Sequence, residues 1–157
     1  MHAPVSSAAR PAHLLLRLCA LVYDLLPVLA LWFVVSLIVY AAHGAQPVES
    51  DSLGGWIELV LLVAVTGLYA VESWRRGGQT LGMRAWRLRV VAADGRPAGR
   101  RALWIRYGVA VVSLAAGGLG LLWSLVERER RTWHDLASHT VMVRLPPPPK
   151  RTRARAG

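Results

Sequence analysis

The sequence has few charged residues and a single cysteine. Only 18% of its 157 residues are charged, whereas a soluble domain has about a quarter. Cys19 has no second cysteine with which to form an internal disulfide. No zinc-ligand spacing is present, since His134 and His139 lie about 140° apart around a helix and do not share a face. We therefore expect no disulfide framework, no metal site and no cofactor.

The charges that are present are mostly positive and unevenly placed. The chain is 54% hydrophobic, and 19 basic residues against 9 acidic ones give a net charge of +10. In a nucleic-acid-binding protein such an excess would be spread over a soluble fold. Here the arginines alternate with long uncharged stretches, which is typical of a membrane protein. The composition predicts an integral membrane protein with no nucleic-acid partner.

Two apolar runs have the length of transmembrane helices. The run over 14–42 would extend about 43 Å as a helix, against a hydrocarbon core of about 30 Å. A cleaved signal peptide is the alternative, because Ala42-His43-Gly44 resembles a cleavage site, but signal cores are only about 7–15 residues long. The second run, 56–74, begins and ends with a tryptophan, about 27 Å apart along a helix. We predict transmembrane helices at both runs.

A third apolar run, 104–126, is long enough to cross once, but Gly117, Gly118 and Gly120 permit a break near its middle. Orientation follows from basic residues in short loops, which stay in the cytoplasm. The segment 43–55 has none, whereas 75–102 has eight arginines. The pattern predicts an inner-membrane protein with its N-terminus and the 75–102 loop in the cytoplasm.

The basic residues of the C-terminal region indicate whether the third run crosses the membrane once or turns back. Residues 127–157 contain eight basic residues and should be cytoplasmic, yet a single third crossing would place them outside. We therefore favour a helical hairpin that enters and returns over a single span. Alternation over 87–91 and over 140–144 also predicts a small cytoplasmic β-hairpin or sheet. The overall prediction is one all-α membrane domain over 1–145, followed by a disordered basic tail, 146–157, that binds anionic headgroups.

Charged side chains near the membrane are the candidate functional residues. Arg17 and Asp24 lie on nearly one stripe of the first helix. A charge at the bilayer centre costs at least ~2.5–3.5 kcal/mol, so Asp24 should be protonated, paired or facing a wet cavity. Asp135 follows the third run and could approach Arg17 from the cytoplasmic side. We predict that Arg17 lies close to at least one aspartate, in either an ion-handling site or a structural contact. His134 and Glu72 are possible accessory residues.

An ordered set of motifs resembles the RDD family of bacterial membrane proteins, which is named for one arginine and two aspartates. The set comprises Arg17 and Asp24, the stretch 78–84 (GQTLGMR), the strand-like 88–91 with Asp94-Gly95, and 130–135 (RRTWHD) with 140–143 (TVMV). By this resemblance the named residues are Arg17, Asp24 and Asp135, and the loop motif supplies Gly78, Gln79, Thr80 and Gly82. The sequence departs from relatives at Met83, where lysine is frequent, and at Ser138-His139, where small residues are frequent.

The family that the sequence resembles has no settled biochemical activity, but transport, including cation/proton exchange, has been proposed for some members, and ion or solute transport is therefore the first function that we expect. Two spans and a hairpin are too few to form a passage, so this function requires a homo-oligomer. The alternative is a non-catalytic membrane scaffold or assembly partner, in which the charged residues form a structural clasp and the basic loop docks lipid or another membrane protein. An enzyme ranks last, because we find no nucleophile–base set, phosphate loop or metal cluster in the sequence.

Overall fold

The structure is a computed structural model that describes residues 10–147, so most of the predicted basic tail, 146–157, lies outside the described residues. Two long helices are followed by shorter helices and by a small sheet at one end of the molecule. In chain order the elements are β1 (Arg10–Pro11), α1 (Leu14–Ala42), α2 (Leu53–Gly77), α3 (Leu81–Ala85), β2 (Leu88–Ala92), α4 (Arg100–Ala115), α5 (Leu119–Leu122), a 3₁₀ turn (Trp123–Leu125), α6 (Trp133–Ala137) and β3 (Thr140–Arg144).

The two long helices are both long and apolar enough to cross a membrane. The observed α1 has the predicted bounds, whereas α2 extends three residues beyond the predicted 56–74 at each end. Its ends are set by local chemistry: the Ser52 hydroxyl accepts a hydrogen bond from the Gly55 N–H at 3.1 Å. Gly78 ends the helix in a left-handed conformation, φ 71°, which glycine adopts without strain.

The sheet joins distant parts of the chain. Strands β2 and β3 are antiparallel, with Leu88 opposite Arg144 and Ala92 opposite Thr140. The two-residue β1 pairs with the other edge of β3, so the strand order is β1-β3-β2. An apolar cluster that includes sheet and helix side chains forms the core at this end, and its buried members are Ala12, Ala20, Val71, Met83, Leu88, Val90, Leu103 and Met142. The buried apolar core among the described residues therefore lies at the sheet end of the molecule.

The third apolar segment is broken. The axis turns by 107° between α4 and the stretch formed by α5 and the 3₁₀ turn, and the two parts together are long and apolar enough for one span. Gly117 and Gly118 lie in the break with φ of 72° and 81°, where other residues are strained. Gly120 allows α5 to approach α4, because a Cβ there would lie 2.5 Å from the Ser113 hydroxyl.

The short helix α3 packs against α1 through a glycine. A Cβ at Gly82 would overlap the backbone carbonyl of Ala20 and lie 3.0 Å from the carboxyl carbon of Asp24. Backbone cannot move aside as a flexible side chain can, so the close approach of α3 and α1 requires glycine at this position.

We expect Gly82→Ala to destabilise the protein by about 1–3 kcal/mol, the usual cost of overpacking. The matched control is Gly108→Ala in α4, where a Cβ would meet nothing within 4 Å. That change should be neutral or stabilising by about 0.5–1 kcal/mol, because alanine is the better helix former. Chemical denaturation of both variants in detergent micelles measures the difference, and equal stabilities would refute the close-packing argument.

Candidate functional site

Arg17 and Asp135 form a buried ion pair that joins the start of α1 to α6. Arg17 Nη1 lies 2.5 Å from Asp135 Oδ2, and the two side chains are 3% and 0% exposed. The same guanidinium donates through Nε to the carbonyl of Ala12 and through Nη2 to the carbonyl of Arg130, at 3.2 and 3.3 Å. Of the two predicted aspartates, the structure therefore brings Asp135 to Arg17.

A second guanidinium, from Arg106 in α4, contacts the other oxygen of the same carboxylate. Arg106 Nη1 lies 2.5 Å from Asp135 Oδ1 and 2.7 Å from the Thr140 hydroxyl. Its guanidinium carbon lies 5.5 Å from the ring centre of Trp74, within the range of a cation–π contact. We call Arg17, Arg106 and Asp135 the clasp.

Arg106 is not among the site residues predicted from the sequence, although a signal for it is present. It is an arginine inside the predicted third run, 104–126, and an ionisable residue in such a run calls for a partner. Because it lies at the edge of that run and close to Arg100 and Arg101, the pattern alone classes it as a flanking residue. Its partner, Asp135, lies 29 positions away in the chain.

Local helix capping positions Asp135. Thr132 precedes α6, and its hydroxyl accepts a hydrogen bond from the Asp135 N–H at 3.4 Å. Asp135 Oδ2 accepts one in return from the Thr132 N–H at 3.2 Å, so the two residues form a capping box. The carboxylate that starts the helix is therefore also the carboxylate that receives both arginines.

Burial and the two arginines of the clasp shift the pKa values of Asp135 and His134. Burial raises the pKa of Asp135, but the positive charges of Arg106 and Arg17 outweigh this effect and hold the pKa well below its ordinary value. Burial lowers the pKa of the neighbouring His134 to about 3, and the charge of Arg106 acts in the same direction. At neutral pH the cluster thus contains two guanidinium groups, one carboxylate and a neutral imidazole. The buried His134 Nδ1 has no hydrogen-bond partner among the described residues.

Asp24 has a different set of partners from the clasp. Its carboxylate accepts hydrogen bonds from the Tyr69 hydroxyl at 2.8 Å, from the Gly82 N–H at 2.9 Å and from the Thr80 hydroxyl. Thr80 also caps α3, because its hydroxyl accepts from the Met83 N–H at 3.3 Å. We call this group the Asp24 junction. The three predicted charged residues therefore form two separate contacts, with Asp24 attached to the loop motif and not to Arg17.

The other predicted site residues have structural contacts. Gln79 donates through Nε2 to the carbonyl of Leu88 at 2.6 Å, and the Gly78 carbonyl accepts from the Val90 N–H at 2.7 Å. Both bonds connect the loop motif to β2. Glu72 instead pairs within α2, with Arg75 and Arg76.

A cavity of about 330 Å³ lies among α1, α2 and α4 and contacts both groups. Arg17, Arg106, His134 and Asp24 lie along it, and Trp32 and Leu114 lie further along the same helices. From Arg17 to Trp32 the cavity follows α1 for about 22 Å. Among residues 10–147, no group of three His, Cys, Asp or Glu side chains is placed to hold a metal ion.

We expect the stability of the protein to fall on acidification, in part through His134. A histidine in the unfolded chain titrates near pH 6.5, whereas His134 stays neutral in the fold down to about pH 3. The unfolded state therefore binds more protons between these values, and stability is lost as the pH falls through this range.

For His134 alone the loss between about pH 7.5 and about pH 5 should be about 2 kcal/mol. Asp135 should add a loss only below about pH 5, where an unfolded aspartate begins to bind protons. Unfolding of the unaltered protein and of His134→Gln in detergent at both pH values measures the effect. The variant should lose less stability than the unaltered protein, and parallel losses would contradict the assignment.

Comparison with known proteins gives a family assignment. No curated protein and no solved structure matches this chain significantly. The sequence profile of the RDD family matches residues 11–139, a range that contains the clasp and the Asp24 junction. This match covers well over half of the chain, and the two long apolar helices agree with a membrane location. The chain therefore belongs to the RDD family and is a membrane protein of that family.

Proposed function

We propose that this protein is a non-catalytic membrane scaffold or assembly partner, in which the charged residues of the family are structural. The observation that carries the proposal is that internal partners occupy both aspartates. Asp135 receives two guanidinium groups and the Thr132 N–H. Asp24 receives two hydroxyls and a backbone N–H. Carboxylates with these partners hold helices together. Their oxygens already accept hydrogen bonds from the protein, so few acceptor positions remain for the binding of a transported ion.

The energetics of the clasp support a structural role. Removing one partner of a buried ion pair typically costs about 3–5 kcal/mol, because the other charge is left buried and uncompensated. Asp135, in α6, forms a buried ion pair with Arg17 of α1 and a second one with Arg106 of α4. The clasp thus joins three elements that are distant in sequence at the sheet end of the molecule.

The surface of α1 supports assembly with another membrane protein or with further copies of the chain. None of the most apolar 18-residue stretch of this helix is buried within one copy. Large side chains such as Leu26, Phe33 and Ile38 are 62–72% exposed. In the membrane these side chains face lipid or a partner helix, and van der Waals packing can drive helix association there.

Transport is the second candidate function, and the cavity is the observation that favours it. Asp24 and Thr66 line the space among α1, α2 and α4, so a cation or proton could reach the carboxylate there. One copy supplies only two long helices and a broken third segment, so a complete passage would need an oligomer.

Exchange activity separates the two functions. For a scaffold, we expect the purified protein in proteoliposomes to show no cation/proton exchange above empty vesicles. Asp24→Asn should also remain folded, because the amide oxygen can accept from Tyr69 and Gly82 and its NH2 group can donate to the Thr80 hydroxyl. Exchange that is present in the unaltered protein and lost in a folded Asp24→Asn variant would refute the scaffold proposal in favour of transport. Arg75→Gln is the matched control, since it changes a charge outside the cavity.

For orientation, we propose a bacterial inner-membrane protein with its N-terminus, 75–102 loop, sheet and C-terminus in the cytoplasm. The strand pairing supports this arrangement: β1 precedes α1, β2 follows α2 and β3 follows the third segment. A bilayer cannot separate paired strands, so the segment between β2 and β3 should enter and return. The 107° bend at the glycines supports the same course.

Reporter fusions test this orientation. A reporter near Asp94 and one after Gly157 should both read cytoplasmic, whereas one near Glu49 should read periplasmic. A periplasmic reading after Gly157 would exclude the returning segment.

A further inference from the structure

A basic pocket of about 390 Å³ lies at the start of α1, outside the clasp and the Asp24 junction. Three arginines give it positive charge, and its acidic member, Glu129, is already paired with Arg131. The residues that line the pocket are Pro11, His13, Leu16, Arg128, Glu129, Arg130 and Arg144. The pocket therefore has a surplus of positive charge.

Two of its arginines have no partner among residues 10–147. Arg128 and Arg144 are exposed, and their side chains make no hydrogen bond or ion pair with another described residue. The adjoining end of α1 has no acidic residue in its first turn and no side-chain cap, so its free N–H groups add partial positive charge. These groups together favour an anionic ligand.

The position of the pocket indicates the source of that anion. Leu16 lines it, and the neighbouring Leu15 is 71% exposed at the start of the apolar helix. The end of a transmembrane helix lies at the level of the lipid headgroups. A phosphate in the pocket would therefore lie at headgroup depth, with apolar helix surface beside it for an acyl chain.

The pocket also adjoins the clasp. The Arg130 side chain contacts the ring of His13, and the Arg130 carbonyl accepts a hydrogen bond from Arg17 at 3.3 Å. Arg130 has a positive φ of 56°, a conformation that needs support from its surroundings. An anion that holds the Arg130 side chain would thus also hold the carbonyl that binds Arg17.

We propose that the basic pocket binds the phosphate of an anionic phospholipid from the surrounding bilayer, and that this binding stabilises the clasp. The proposal rests on the membrane location of the chain and not on the scaffold or transport function. It can therefore fail or succeed independently of either.

The test is a titration of the full-length protein in neutral detergent with phosphatidylglycerol, followed by thermal unfolding and by native mass spectrometry. We expect a saturable rise in unfolding temperature and one retained lipid per chain, with neither effect from phosphatidylcholine. The double variant Arg128→Ala/Arg144→Ala should bind phosphatidylglycerol more weakly by on the order of thirtyfold.

The matched control is Arg100→Ala/Arg101→Ala, which also removes two exposed arginines but lies outside the pocket. It should bind phosphatidylglycerol as the unaltered protein does, and both double variants should have the unaltered unfolding temperature without lipid. Equal weakening in the control, equal binding of phosphatidylcholine, or unchanged binding in the pocket variant would overturn the proposal. The same rise with inorganic phosphate alone would indicate a free-anion site and would overturn the lipid assignment.

Discussion

The arrangement of this protein depends on one buried carboxylate, that of Asp135, between two guanidinium groups. Burying ions is costly, and close pairing with additional hydrogen bonds offsets that cost. Both oxygens of Asp135 are occupied, and Arg17 gains two carbonyls besides. Arg106 gains the Thr140 hydroxyl and the face of Trp74. The surplus positive charge is thus shared among oxygens and an aromatic ring.

The Asp24 junction completes the attachment of α1. Seven residues separate Arg17 from Asp24, so the two groups lie on one stripe of the helix but about 10.5 Å apart along it. Arg17 holds α6, and through it α4, whereas Asp24 holds α3 and the loop motif. Arg17 and Asp135 therefore form one contact of α1, and Asp24 forms a second, separate contact of the same helix.

Because of these two contacts, the elements are closely packed at the sheet end of the molecule, whereas a cavity separates the helices towards the other end. At the sheet end the clasp, the junction and the strands fix the elements against one another. Towards the other end, α1 and α4 each pack against α2, and the cavity lies among the three helices. In a scaffold, the clasp and the Asp24 junction would fix the direction of the exposed helix α1. A transporter would use the cavity beside Asp24, and the basic pocket near Arg130 would let lipid influence either function.

The sequence by itself determined the features that depend on neighbouring residues, namely the two long helices and the strand at 140–144, because hydropathy and alternation are local properties. The desolvation argument also led to an aspartate beside Arg17, but it could not choose between Asp24 and Asp135, since both distances depend on packing. Only the tertiary structure assigned Arg106 to Asp135 and Thr80 to Asp24, pairs separated by 29 and 56 positions. Such contacts exist only once the sheet has brought the ends of the helices together, and no local pattern encodes them.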